Sequence, residues 1–202
     1  MAAELPFQLG ITGGIGSGKS VFARIFSLMG VPVYESDSET KKLYRHPEVR
    51  IQVIALLGER AYQENGFPDT AFIADRIYRD PALREQLNAI LHPALAAHYL
   101  KWLKNQHHPY VLKVAALLFE ADIARHLDMT ALVISPKALR RDRLSVRDPQ
   151  RPSSQVDAIM ASQLSDEDKI NRADFIVYND EKHSLIRQAI ALQDKVLNLL
   201  KL

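Results

Sequence analysis

The chain has no cysteine and one tryptophan among its 202 residues. A thiol nucleophile, a cysteine metal site and a disulfide framework are therefore all excluded, and the chain suits a reducing compartment. No apolar run approaches the roughly 20 residues that a membrane-spanning helix needs. The start, Met1-Ala-Ala-Glu4, lacks the basic residues and apolar stretch of a secretory signal. These absences lead us to expect a soluble, cytoplasmic protein with no membrane partner. A formal net charge of only +2 gives no reason to expect nucleic acid. Internal repeats and low-complexity tracts are also missing. With 47% apolar and 25% charged residues, the composition is that of an ordinary globular protein that buries a core without staples.

Short apolar segments alternate with amphipathic ones. Phe7–Thr12, Val31–Tyr34, Tyr110–Ala115, Thr130–Ile134 and Phe175–Tyr178 read as five strands. A helix is expected from Lys19 to Met29 with Gly30 as its stop. The stretch 38–106 is helical in pattern, with a break at His92-Pro93, because the residue before proline is pushed out of the helical region. The last helix places Leu185, Ile186, Ala189, Ile190, Val196, Leu197 and Leu200 on one broad face. The expected fold is α/β: three layers around a five-stranded, mainly parallel sheet, with a helical insertion and a small lid. In such sheets ligands bind beyond the carboxyl ends of the strands. The segments just after the five strands are therefore where chemistry is expected.

The first of these is Gly13-Gly14-Ile15-Gly16-Ser17-Gly18-Lys19-Ser20, which fits G-x-x-x-x-G-K-[S/T]. Its glycines let successive amide N–H groups converge on phosphate oxygens, and the following helix aims its positive end at the same place. Lys19 supplies a point charge to the β/γ-phosphates, and the Ser20 hydroxyl suits Mg²⁺. The loop indicates a nucleoside triphosphate site without saying what is done with it. No Asn-Lys-x-Asp guanine-reading motif is present, and the helical insertion leaves room for an acceptor, which favours a small-molecule kinase.

Asp37, just after the second strand, is the candidate to orient or deprotonate an attacking hydroxyl and to help hold the metal, against a plain helix cap at Ser36, Asp37 or Ser38. Arg143 and Arg147 are four apart and share a helix face that suits phosphate, whereas Arg140 and Arg141 read as a solvated basic face. The polar, proline-rich 148–154 followed by a short helix, 155–163, suits a lid that excludes water. His92 is either a packing residue at a helix junction or an acceptor contact. Trp102 reads as core.

These residues resemble the dephospho-CoA kinase family over almost the whole chain. Gly10–Ser20 looks like the family's start, and Asp37 falls on its catalytic acid. Leu87-Asn88 through His92-Pro93, Leu117-Leu118-Phe119-Glu120, Arg143-Leu144 with Arg147-Asp148, and Ala173-Asp174 with Asn179 match its further motifs. The chain departs from the pattern at Glu35, Thr70, Ala116, Ala158 and Asp180. The resemblance implies transfer of the ATP γ-phosphate to the ribose 3′-hydroxyl of dephospho-CoA, with ATP and Mg²⁺ as cofactors and Asp37, Lys19 and Arg143 as the catalytic set. It implies nucleotide contacts from Gly13 to Ser20 and from Arg143, Arg147 and Asn179, acceptor contacts from Asp37, His92, Leu117 and Glu120, and metal contacts from Ser20 and Asp37. The expected core is 1–37, 107–147 and 166–202, with a dephospho-CoA-binding domain at 38–106 and a lid at 148–165. Another small-molecule P-loop kinase and a non-catalytic nucleotide-binding regulator stay open as alternatives, as does the choice between monomer and homo-oligomer.

Overall fold

The computed structural model describes residues 5–202; the polar start Met1–Glu4 lies outside the described residues. Five strands form one parallel sheet in the order β2-β3-β1-β4-β5. They are β1 (Phe7–Thr12), β2 (Val33–Glu35), β3 (Tyr110–Val114), β4 (Met129–Ile134) and β5 (Phe175–Tyr178). The second strand thus starts two residues later than its apolar run suggested. Pro32 has no N–H to give, but its carbonyl still accepts from the Leu112 amide at 2.9 Å. From β1 the chain crosses to β2 on one side, and from β3 it crosses to β4 on the other. The carboxyl end of β1 is therefore the switch point where a parallel sheet opens a crevice for ligands.

Two compact units make up the chain, 1–35 with 106–202, and 36–105. In the first, α1 (Lys19–Leu28) and α9 (Leu185–Leu200) cover one face of the sheet. Phe22 and Phe26, one helical turn apart, pack edge to face at 5.4 Å, and both are fully buried with Leu9, Ile11, Leu112 and Val133. Each such side chain contributes roughly 1.5–3 kcal/mol through burial. The α9 face is narrower than expected. Ala189, Leu192 and Val196 are fully buried, whereas Ile186 and Ile190 lie largely in solvent, because only a stripe at the 3–4 spacing meets the sheet.

The second unit holds α2 (Ser36–Leu43), α3 (Pro47–Leu57), α4 (Thr70–Arg79) and α5 (Pro81–Lys104) around Val49, Val53, Ile73, Leu87 and Leu91. The expected break at His92-Pro93 does not occur: α5 runs through it for 24 residues. The Asp80 carboxylate caps its first turn by accepting from the Leu83 amide at 3.0 Å, and Pro81 fits the first helical position. Leu87 and Leu91 before the proline, and Tyr99 and Leu103 after it, are all buried. Their packing outweighs the roughly 3 kcal/mol that an interior proline costs. His92 is therefore an exposed mid-helix residue and not a junction residue. Trp102, half-buried, stacks on Tyr99 at 5.9 Å.

One buried charge in the sheet makes a prediction. Lys113 of β3, with Gly10 and Tyr34 as its cross-strand partners, is 9% exposed, and burial lowers its pKa from 10.5 to about 8. Between those values the unfolded chain binds the proton and the folded one does not, so this residue makes stability rise as pH climbs from about 8 to 10.5. Below pH 8 the penalty is constant. We expect Lys113→Met to gain about 1–3 kcal/mol at neutral pH and to lose that slope relative to the parent. Urea titrations at a series of pH values check it.

Candidate active site

Immediately after β1 the chain enters 13–18 and then α1, so the loop that the sequence pointed to lies between strand and helix at the switch point. The Lys19 ammonium folds back over it and donates to the carbonyls of Gly13 at 2.7 Å and Gly14 at 3.1 Å. That fixes the side chain across the mouth of the loop, where phosphate oxygens collect. Ser20 stands exposed on the first turn of α1. Ser20 and Glu35, at the end of β2, line one cleft of 440 Å³.

Gly18 shows why the end of the loop takes no side chain. Its φ of 96° is left-handed, and a Cβ there would sit 2.1 Å from the amide nitrogen of Asn179. That amide donates to the Ser17 carbonyl at 2.7 Å, while the Asn179 backbone N–H reaches Ile134 at 2.8 Å. Asn179 therefore ties the ends of β4 and β5 to the phosphate loop. Arg143, on α6 (Lys137–Arg147), donates to the Asn179 carbonyl at 3.3 Å, to its Oδ1 at 3.4 Å and to Ser135 Oγ at 3.0 Å. Glu181 lies 3.8 Å away. A chain of contacts thus runs from Ser17 through Asn179 to Arg143, holding a planar cation beside the loop. Arg147, one turn further on, is exposed at the end of the helix.

Arg140 corrects the sequence reading. It is 8% exposed and not part of a solvated face. A Cβ on Gly14 would sit 2.0 Å from its Nη1, so the guanidinium lies directly against the loop. Arg141 does face solvent, half-exposed and paired with Asp157 of α7 (Ser153–Ser162). Gln163, which no motif singled out, accepts from the Ile15 amide at 3.0 Å. Only contacts far apart in sequence reveal these two residues.

Leu117 is nearly half exposed, while Leu118 and Phe119 anchor the turn after β3 in the core. Glu120 Oε1 accepts from the Leu164 amide at 3.0 Å and pairs at 3.0 Å with Lys169 of α8 (Asp166–Ile170), an ammonium with no solvent exposure. Glu120 Oε2 is buried without a partner. We expect Glu120→Gln to destabilise the fold by about 3–5 kcal/mol, because it strands the buried Lys169 charge. The double variant Glu120→Gln/Lys169→Met recovers most of the loss in urea unfolding. In the helical unit, Asp37 is exposed in the first turn of α2, two residues beyond β2.

A loop of glycines, lysine and serine between β1 and α1, on a parallel sheet of order 2-3-1-4-5, makes the first unit a P-loop nucleotide-binding core of the small-kinase type. Solved structures share the fold. One from Thermus thermophilus aligns with TM-score 0.84 at 28% identity, over 97% of this chain and 99% of its own. A dephospho-CoA kinase from Campylobacter jejuni aligns with TM-score 0.68 at 18% identity, covering 94% of this chain and 96% of its own. A shikimate kinase from Acinetobacter baumannii shares the fold at TM-score 0.54 and 15% identity, covering 96% and 94%. The model of the family described as dephospho-CoA kinase matches residues 7–184. A Bacteroides fragilis dephospho-CoA kinase is 34% identical over 93% of this chain and 92% of its own length. One from Rhodopseudomonas palustris is 35% identical over 84% of each. The chain belongs to the dephospho-CoA kinase family.

Proposed function

We propose that Lys19, Arg143 and Asp37 carry a phosphoryl transfer from ATP, with the loop 13–20 as the phosphate grip. The reaction is the final step of coenzyme A synthesis, the ATP-dependent phosphorylation of dephospho-CoA at its ribose 3′-hydroxyl, giving coenzyme A and ADP. The observation that carries this reading is the family match over 7–184, which spans the loop, Asp37, Arg143 and Asn179.

In the transfer, a bond forms between the 3′-oxygen and the γ-phosphorus while the bond from that phosphorus to the β–γ bridging oxygen breaks. Asp37 orients the hydroxyl and takes its proton. Lys19 and the loop amides hold the β- and γ-oxygens. Arg143, pinned by Asn179 and Ser135, meets the charge that spreads over the migrating group. Its fixed geometry means that little reorganisation is required at the moment of transfer.

The donors suit Mg²⁺. Ser20 and Glu35 offer hard oxygens on one cleft and Asp37 follows two residues later, so Ser20 and Asp37 would hold the ion. When bound, the metal neutralises phosphate charge. Among the described residues no group of three or more histidines and acids that could hold a metal ion is present.

The unit 36–105, which contains Asp37 and exposed His92, is assigned to acceptor binding, and 148–165 to a lid. Among the described residues no helix is long and apolar enough to cross a membrane. Since the reaction consumes ATP, we assign the protein to the cytoplasm. The test is ADP release from Mg²⁺–ATP with dephospho-CoA, shikimate, gluconate and a nucleoside in parallel. Stimulation by dephospho-CoA alone supports the acceptor assignment. Stimulation by another acceptor keeps a P-loop kinase and overturns that assignment.

A further inference from the structure

Arg140 is a buried cation without a full set of partners. Its guanidinium lies on the backbone of Gly14, and its own carbonyl oxygen would be 2.7 Å from a Cβ on Gly16, so both head and backbone of this residue touch the phosphate loop. Among the described residues its carboxylate partner is Asp166 at the start of α8, which stands 3.4 Å from Nη1 and is 42% exposed. Nε is buried and makes no hydrogen bond. A desolvated guanidinium with a single long ion pair is only partly neutralised, and its field is weakly screened by solvent. What it faces is a loop whose purpose is to gather a polyanion. On the same side, Gln163 takes the Ile15 N–H, and Asp166 follows three residues later. Arg140 therefore meets the phosphate loop and the start of α8 at once.

We infer that Arg140 is a positioning residue that holds the phosphate loop at positive potential for ATP, and that Asp166 competes with the nucleotide phosphates for its charge. The inference rests on the loop's being the ATP site and does not depend on which acceptor is phosphorylated. In this arrangement Asp166 moderates nucleotide affinity: the ion pair loosens as phosphate charge enters the loop and reforms as it leaves. The two members of the pair then act on ATP binding with opposite signs. A purely architectural bridge predicts the same sign for both, since either substitution breaks the same contact.

The experiment is calorimetric binding of Mg²⁺–ATP to the full chain with no acceptor present, which keeps it separate from any failure of the acceptor assignment. Arg140→Gln is expected to weaken binding about tenfold and Arg140→Lys about threefold or less, because charge matters more here than the guanidinium fork. Asp166→Asn is expected to tighten binding about two- to threefold. Weakening by Asp166→Asn, or an Arg140→Gln affinity within twofold of the parent, overturns the inference. Should Arg140→Gln fail to fold, Asp166→Asn decides alone: tighter binding supports the role, and unchanged or weaker binding refutes it.

Discussion

Lys19→Ala is expected to lower kcat/KM by about a hundred- to a thousand-fold while leaving the fold intact. The side chain's hydrogen bonds run to the carbonyls of Gly13 and Gly14, so its loss removes little that holds the core together. The core beneath it rests on Leu9, Ile11, Phe22 and Phe26, which the substitution leaves in place. What is lost is a point charge at the β- and γ-phosphates, and with it stabilisation of a transition state that depends on charge neutralisation. The loss falls on both ATP affinity and turnover. Steady-state kinetics alongside urea unfolding separates the two effects. Activity within tenfold of the parent, in a folded variant, would remove Lys19 from the site.

The second large effect is at Asp37. Asparagine keeps the shape and the helix-start position but neither accepts a proton nor carries charge. We expect Asp37→Asn to lower kcat by about a hundred- to ten-thousand-fold. A KM for Mg²⁺–ATP within about threefold of the parent would confine Asp37 to the acceptor hydroxyl, whereas a larger rise would report its share in holding the metal. That split distinguishes a residue acting on the acceptor from one acting on the nucleotide. A fall confined to stability, with normal turnover in the folded fraction, would reduce Asp37 to a first-turn acid that favours the helix dipole of α2.

The parts of this molecule legible in its sequence are those whose meaning is local. The phosphate loop could be read because each of its glycines, its lysine and its serine has a reason visible within eight residues, and because an apolar strand precedes it. Four of the five strands stand almost where their apolar runs place them; β2 starts late because Pro32 has no N–H and the Val31 N–H bonds to the Phe26 carbonyl of α1. Asn179 was legible as the residue just after the fifth strand and through family resemblance, whereas its contact with Ser17, 162 positions away, was not. Arg140 and Arg141 are neighbours of the same type, yet one lies on Gly14 and the other in solvent with Asp157. Nothing local separates them, since the difference comes from Gln163 and Asp166 folding back over α6. Pro93 misled for the complementary reason. Its local rule is sound, but Leu87, Leu91, Tyr99 and Leu103 make one continuous helix worth more than two short ones.

Incubating the full chain with Mg²⁺–ATP and dephospho-CoA, and fixing the product's mass and the position of its new phosphate, tests the central claim most directly. The expected product carries one added phosphate at the ribose 3′-oxygen, with one ADP formed per product molecule. A phosphate at any other position, or ADP formed without a phosphorylated acceptor, would contradict the assignment of this site to the last step of coenzyme A synthesis.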